Sequence, residues 1–166
     1  VIMSTGVSNL SDIDESVRLL RTAGVKDIVL LEWTSTYPAT PENTNLHTIP
    51  HLQQMFDCVI GLSDHTMGIG ASVAAVALGA RVIEKHFTLR RADGGVDSTF
   101  SLEPEELKAL VVESERAFLA MGKVQYGVQK TEKNSTLFKR SLYIAKDMEA
   151  GDTITKEHVK VIRPAL

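Results

Sequence analysis

Four runs of consecutive apolar residues, each followed by a helix-like segment, constrain the fold of this chain more than any other feature. The runs are VIM, DIVLLEW, CVIGLS and RVIEKHFTL, which begin at residues 1, 27, 58 and 81. Their apolar residues are continuous rather than alternating, which is typical of strands buried on both faces of a parallel sheet. Four β-α units predict either half of an eight-unit barrel or most of a small doubly wound sheet. Because no glycine-rich phosphate-binding motif follows any of these runs, the barrel is favoured.

The segments between the runs carry the start and stop signals of helices. In SDIDESVRLLRTAG we predict that Ser11 caps the helix, that Asp14 occupies the capping-box position and that Gly24 ends it. Three further helices are predicted at IPHLQQMF, GASVAAVALGA and EPEELKALVVESERAFLAMG. Strands and helices therefore alternate through residue 122.

The composition changes after residue 122, which predicts a second region. Residues 123–140 are polar and lack a helical period, so we interpret them as a linker. Residues 141–166 contain two short apolar runs around a turn at residues 150–152 and are interpreted as the start of a small β-rich domain. Since the sequence begins and ends inside predicted elements, we expect a fragment of a longer protein.

Overall composition is that of a soluble globular protein. The net charge of −3 gives no basic footprint for nucleic acid, so no nucleic-acid partner is expected. No apolar run approaches the ~20 residues of a membrane span and no signal peptide is visible, so we expect no membrane association. The single cysteine, Cys58, has no internal disulfide partner, which favours a cytoplasmic protein.

Ionisable and hydroxyl side chains are concentrated where the predicted strands end. In an α/β barrel, the loops at the carboxyl ends of the strands build the active site. All four ends carry such groups, which indicates a site there. They are Ser4 and Thr5, Glu32 to Ser35 with Tyr37 beyond, Ser63 to His65, and Glu84 to His86.

Two of the five histidines, His65 and His86, follow neighbouring runs. They are either two hydrogen-bonded structural histidines or two ligands of one divalent metal with open positions. The second interpretation requires the two rings to lie within roughly 5 Å of each other. The period of two along a strand predicts that Glu84 shares the face of His86 and that Lys85 points toward the helices. Imidazole ligands favour Mn²⁺ over Mg²⁺, and the other three histidines are assigned no role.

Several motifs, in order, resemble the sialic acid synthase family, which includes N-acetylneuraminate, legionaminate and pseudaminate synthases and a spore-coat polysaccharide homologue. They are STG, TSTYPATPENTNLHTIP, SDHTMGIG, EKHFTL, GGVDSTFSLEPEEL and KRSLYIAKDMEAGDTITKEHVKVIRP. The resemblance covers essentially the whole chain. It implies the carboxyl-terminal half of a TIM barrel over residues 1–122. The linker at 123–140 and the truncated start of a small antifreeze-like domain at 141–166 would follow.

The resemblance also implies a reaction. The family condenses phosphoenolpyruvate with an N-acetylated sugar, releases phosphate and forms a nine-carbon acidic sugar. A divalent metal sits on two histidines that match His65 and His86. Mn²⁺ is the expected ion, with Mg²⁺ and Co²⁺ as alternatives.

The remaining site residues are assigned only through this resemblance. Ser4 and Ser63 match positions that bind the phosphate of phosphoenolpyruvate. Glu84 and Asp97 match carboxylates that handle protons or sugar hydroxyls, and Tyr37 matches a residue near the sugar.

Arg163 matches a residue of the small domain that reaches the sugar's N-acetyl group from a neighbouring subunit. The resemblance therefore implies a homodimer. Glu32 and Trp33 depart from the small or cysteine-containing pair usual in the family. Ser98, which follows Asp97, looks more like the pseudaminate branch than the N-acetylneuraminate branch.

Two alternatives of other classes remain open at this point. The chain could be an inactive barrel half, because the phosphate-binding lysines of the family's first four strands are missing from it. It could also be an unrelated metal-dependent barrel of the aldolase type, although the FSLEPEEL motif and the antifreeze-like tail argue against that.

Overall fold

The structure, a computed structural model, describes residues 1–163. The chain divides into two compact units, residues 1–122 and residues 123 onward.

The first unit contains one parallel sheet of four strands in the order β1-β2-β3-β4. The strands are β1 (Ile2–Ser4), β2 (Val29–Trp33), β3 (Val59–Asp64) and β4 (Val82–Lys85). The helices are α1 (Leu10–Thr22), α2 (Thr48–Phe56), α3 (Gly70–Ala77) and α4 (Pro104–Met121), with 3-10 turns at Pro41–Asn43, Arg91–Asp93 and Ser98–Phe100. Across residues 1–163, no helix combines the length and the apolar character needed to cross a membrane.

The hydrophobic core lies between one face of the sheet and the helices. Leu30, Ile60 and Leu62 are fully buried and join α1, α2 and α3 in a single cluster. Truncating one of these side chains to alanine is expected to cost about 2–5 kcal/mol. Because a doubly wound sheet has helices on both faces, this one-sided packing disagrees with that alternative.

Helix α1 begins differently from the sequence prediction. Its N-cap is Asn9 rather than Ser11, since the Asn9 Oδ1 atom accepts hydrogen bonds from the backbone N–H groups of Ser11 and Asp12 at 2.8 and 3.2 Å. The Asp12 carboxylate, rather than that of Asp14, completes the capping box by accepting from the Asn9 N–H. Gly24 follows the helix end with a φ of +84°, in agreement with its predicted role.

The second unit contains an antiparallel pair, β5 (Ser141–Ile144) and β6 (Val159–Ile162). The predicted turn is present, with Gly151 at a φ of +106°. Residues 123–140 differ from the prediction, because a 3-10 helix spans Lys130–Phe138 and a capping box between Gln129 and Glu132 starts it. Hydrogen bonds at its start support this helix, so it forms without the periodic apolar residues on which the sequence prediction relied.

The first unit leaves apolar surface uncovered, which generates a prediction about the isolated chain. In the described sheet, β1 and β4 each pair on one side only. On the face away from the helices, Ile2 and Val59 are 62% and 46% exposed. Because open edges and apolar faces recruit other chains, the 166-residue chain should self-associate. Size-exclusion chromatography with light scattering measures this, and a monomer of 18.2 kDa that unfolds cooperatively would contradict it.

Candidate active site

The two histidines singled out by the sequence come together at the carboxyl ends of adjacent strands. His65 directly follows β3 and His86 directly follows β4. Their ring centroids are 4.9 Å apart, which confirms the predicted separation. Parallel pairing of the two strands produces this proximity, because Asp64 pairs with Lys85 immediately before the histidines.

A serine and two carboxylates complete what we call the histidine cluster: His65, His86, Ser63, Glu84 and Asp97. Ser63 pairs with Glu84 across β3 and β4, and its Oγ donates a 2.6 Å hydrogen bond to Glu84 Oε1. The Asp97 Oδ2 atom lies 3.9 Å from His86 Nδ1. Glu84 and Asp97 therefore lie beside the histidines, as predicted.

Aromatic rings surround the histidines. The Tyr37 ring lies 4.5 Å from the His65 ring and 6.1 Å from the His86 ring, so this predicted residue borders the histidine cluster. Trp33 lies 6.0 Å from His65, and Phe100 lies 5.0 Å from His86. The sequence placed Trp33 at one of the four strand ends but gave it no role, and it gave Phe100 no place in the site. For Trp33 the signal was available, because the period of two in β2 directs it to the same face as Ser63, its pairing partner.

A buried ion pair lies on the other side of the sheet, directly below the histidines. Lys85 Nζ donates to Asp64 Oδ2 at 2.9 Å and to the Thr66 carbonyl at 2.7 Å, and both charged side chains are at most 3% exposed. Ser72 of α3 donates to the same carboxylate at 2.5 Å. Lys85 thus points toward the helices, which confirms the prediction. Burial alone would raise the pKa of Asp64, but the hydrogen bonds from Lys85, Ser72 and Thr66 hold it below its usual value.

His65 is almost fully buried beside His86. It is 7% exposed, and its Nδ1 atom is buried without a hydrogen-bond partner in the described part of the chain. Burial, followed by the neighbouring His86, lowers the pKa of His65, against the opposing effects of the Ser63 backbone and the nearby carboxylates. A lowered pKa favours the neutral imidazole, which is the form that can bind a metal.

The two imidazoles do not form part of a larger cage of ligands. Within residues 1–163, no group of three or more His, Cys, Asp or Glu side chains is arranged to hold a metal. The pair therefore differs from a closed structural zinc site, which has four protein ligands.

The other residues assigned from the sequence lie elsewhere. Ser4 is exposed at the end of β1 and pairs with Leu31. Leu31 lies two residues before Trp33, which pairs with Ser63 and so lies level with Ser63 and Glu84. Arg163 is exposed at the end of the described second unit. The roles of both remain predictions, as do the roles of the members of the histidine cluster.

Glu32 is a half-buried acid to which the sequence alone assigned no role. It lies on the helix side of β2, in a cleft of about 320 Å³ that Ser8, Thr48 and His51 also line. Its Oε2 atom receives one long hydrogen bond, 3.5 Å from Thr5 Oγ1. Burial raises the pKa of Glu32 to about 7, against the opposing effect of that bond.

The fold and the site together define an α/β protein in which two histidines and two carboxylates lie at the carboxyl ends of parallel strands. Residues 1–126 match the NeuB family, and the chain belongs to that family. Membership removes the unrelated aldolase-type barrel as an alternative.

Individual relatives agree with this assignment. Pseudaminic acid synthase of Campylobacter jejuni is 40% identical over 164 residues, covering 99% of this chain and 48% of that protein. N,N'-diacetyllegionaminic acid synthase of the same species is 40% identical over 168 residues, covering 99% and 50%. N-acetylneuraminate-9-phosphate synthase of Drosophila melanogaster is 41% identical over 111 residues, covering 66% and 30%.

Two solved structures of similar proteins agree with this family assignment. An N-acetylneuraminic acid (sialic acid) synthetase from Leptospira borgpetersenii superposes with a TM-score of 0.75 at 36% identity, covering 82% of this chain and 47% of that chain. A spore coat polysaccharide biosynthesis protein of Bacillus subtilis superposes with a TM-score of 0.70 at 31% identity, covering 98% and 50%. The chain spans about half the length of the two Campylobacter jejuni synthases, although nearly all of this chain aligns with each of them.

Glu32 generates a prediction about pH. Its carboxyl group keeps its proton to about pH 7 in the folded chain, but in the unfolded chain it loses the proton near 4.5. The unfolding free energy should therefore fall as pH rises from 4.5 to 7, by about 1–2 kcal/mol once solvent screening of this half-buried carboxyl group is allowed for. Glu32→Gln, which is neutral throughout, should remove this fall.

Urea unfolding at several pH values measures the effect. Glu15→Gln, an exposed substitution on α1, is the matched control and should leave the pH dependence unchanged. Equal pH slopes in the parent chain and Glu32→Gln would contradict the assignment.

Proposed function

We propose that the whole protein containing this chain condenses phosphoenolpyruvate with an N-acetylated sugar, releasing phosphate and forming a nine-carbon sialic-type acid. The observation that carries the proposal is the pair of imidazoles 4.9 Å apart, flanked by Glu84 and Asp97 at the carboxyl ends of two parallel strands. The relatives named as pseudaminic, legionaminic and N-acetylneuraminate-9-phosphate synthases support it.

In this proposal the first unit supplies four consecutive β-α units of an eight-unit barrel. The sequential strand order, the helices packed on one face and the match to about half of each full-length relative support this arrangement. The β5–β6 pair then begins the small antifreeze-like domain. Arg163 of that domain contacts the sugar bound by a partner subunit in a homodimer.

His65 and His86 would hold a divalent metal, for which Mn²⁺ suits the imidazole ligands better than Mg²⁺ does. The unpartnered His65 Nδ1 and the separation of the rings fit this group. When bound, such a metal polarises and orients the sugar's aldehyde oxygen. The nearby Tyr37 ring packs against both imidazoles and would border the sugar.

The remaining residues bind the second substrate and move protons. A carbon–carbon bond forms between the methylene carbon of phosphoenolpyruvate and the aldehyde carbon, whose oxygen gains a proton. Water adds to carbon 2 of the former enol and loses a proton. The hydroxyl group left on carbon 2 then loses its proton as the carbon–oxygen bond to phosphate breaks, which gives a carbonyl at carbon 2 and hydrogen phosphate. Glu84 and Asp97 would exchange these protons, and Ser4 and Ser63 would bind the phosphate.

An active whole protein is compatible with an inactive isolated chain. The barrel requires phosphate-binding lysines that the family carries on strands outside these residues. We therefore propose that the 166-residue chain alone does not catalyse the reaction.

Phosphate release from phosphoenolpyruvate, measured in the whole protein with Mn²⁺ and several N-acetylated sugars, tests the function. His65→Ala should abolish release while leaving the fold intact, and Glu84→Gln should reduce it about 100-fold or more. His47→Ala is the matched control, because His47 is exposed outside the cluster and its loss should change nothing. Sugar-independent release, or full activity of His65→Ala, would contradict the proposal.

A further inference from the structure

We propose that Asp64 and Lys85 are positioning residues that set the separation and orientation of the two imidazoles, and thereby the affinity of the site for a divalent metal. The proposal rests on the metal site proposed above. It assigns a role to two residues that face away from the substrate side of the sheet.

Asp64 and Lys85 are paired across β3 and β4, and each directly precedes one of the two histidines. Side chains alternate along a strand, so His65 and His86 lie on the opposite face from Asp64 and Lys85. The 2.9 Å contact between Lys85 Nζ and Asp64 Oδ2 therefore holds together the two backbone segments that carry the histidines.

The ion pair also holds the backbone on both sides of His65. Asp64 Oδ1 accepts hydrogen bonds from the Thr66 N–H and hydroxyl group at 2.8 Å each. Lys85 Nζ also donates to the Thr66 carbonyl at 2.7 Å. Ser72 connects the carboxylate to α3 at 2.5 Å, so the His65 segment is anchored to a neighbouring strand and to a helix.

The burial of both charges also bears on their role. A buried ion pair contributes little net stability compared with apolar side chains of similar size, because desolvation of both charges offsets their attraction. Stability alone therefore does not account for two charged side chains that are at most 3% exposed. Groups behind a metal ligand typically alter metal affinity about 10- to 100-fold when they are removed.

The test compares Mn²⁺ binding in the whole protein with and without the ion pair. The double variant Asp64→Asn/Lys85→Met removes both charges and the link between the strands, but keeps a side-chain oxygen for the Thr66 N–H. Its dissociation constant for Mn²⁺ alone, measured by electron paramagnetic resonance of the free ion, should rise about 10-fold or more. Ser72→Ala is a milder variant that should show a smaller change in the same direction if the double variant does not fold.

Two controls separate positioning from general stability. Val17→Ala removes core volume in α1, far along the chain from the pair, and should lower the unfolding midpoint without changing Mn²⁺ affinity. In the metal-free protein, the ring proton signals of His65 and His86 should shift in the double variant and not in Val17→Ala.

The outcomes distinguish the two proposals. Wild-type protein that does not bind Mn²⁺ would overturn the metal site itself. Wild-type protein that binds Mn²⁺, with unchanged affinity and unchanged histidine signals in the folded variants, would overturn the positioning role alone.

Discussion

The packing of one face of the sheet against helices α1, α2 and α3 is the constraint on which the rest of the first unit depends. Leu30, Ile60 and Leu62 occupy that face and are completely buried. Because side chains alternate along each strand, burying these residues directs Trp33 and Ser63 to the opposite face. A slip of one residue would exchange the two sets and dismantle the core and the site together.

The same alternation explains which parts of the site were predictable. His65, His86 and Glu84 follow from the ends of apolar runs and a period of two, and Lys85 follows as the residue pointing the other way. Phe100 did not follow, because it reaches His86 from a 3-10 turn that has no sequence period. Elsewhere, the Asn9 cap was missed because Ser11 is also a favourable capping residue, and only the hydrogen bonds decide between them.

The side chain of Trp33, at the end of β2, packs directly against the loop after β1. The Trp33 indole lies over Gly6, where an added Cβ would come within 2.2 Å of Trp33 Cε3. With tryptophan at position 33, any side chain at position 6, in the loop after β1, would therefore clash with the indole unless one of the two moved. The indole consequently borders both that loop and the ring of His65, 6.0 Å away.

That location makes Trp33 a direct reporter of the proposed metal site, since it is the only tryptophan in the sequence. Mn²⁺ is paramagnetic and should quench the Trp33 fluorescence of the 166-residue chain saturably if it binds to His65 and His86. Replacing both histidines with alanine should remove the saturable quenching, whereas His47→Ala should preserve it. Saturable quenching that persists without His65 and His86, or its absence in the unaltered chain, would contradict the assignment of these two histidines as metal ligands.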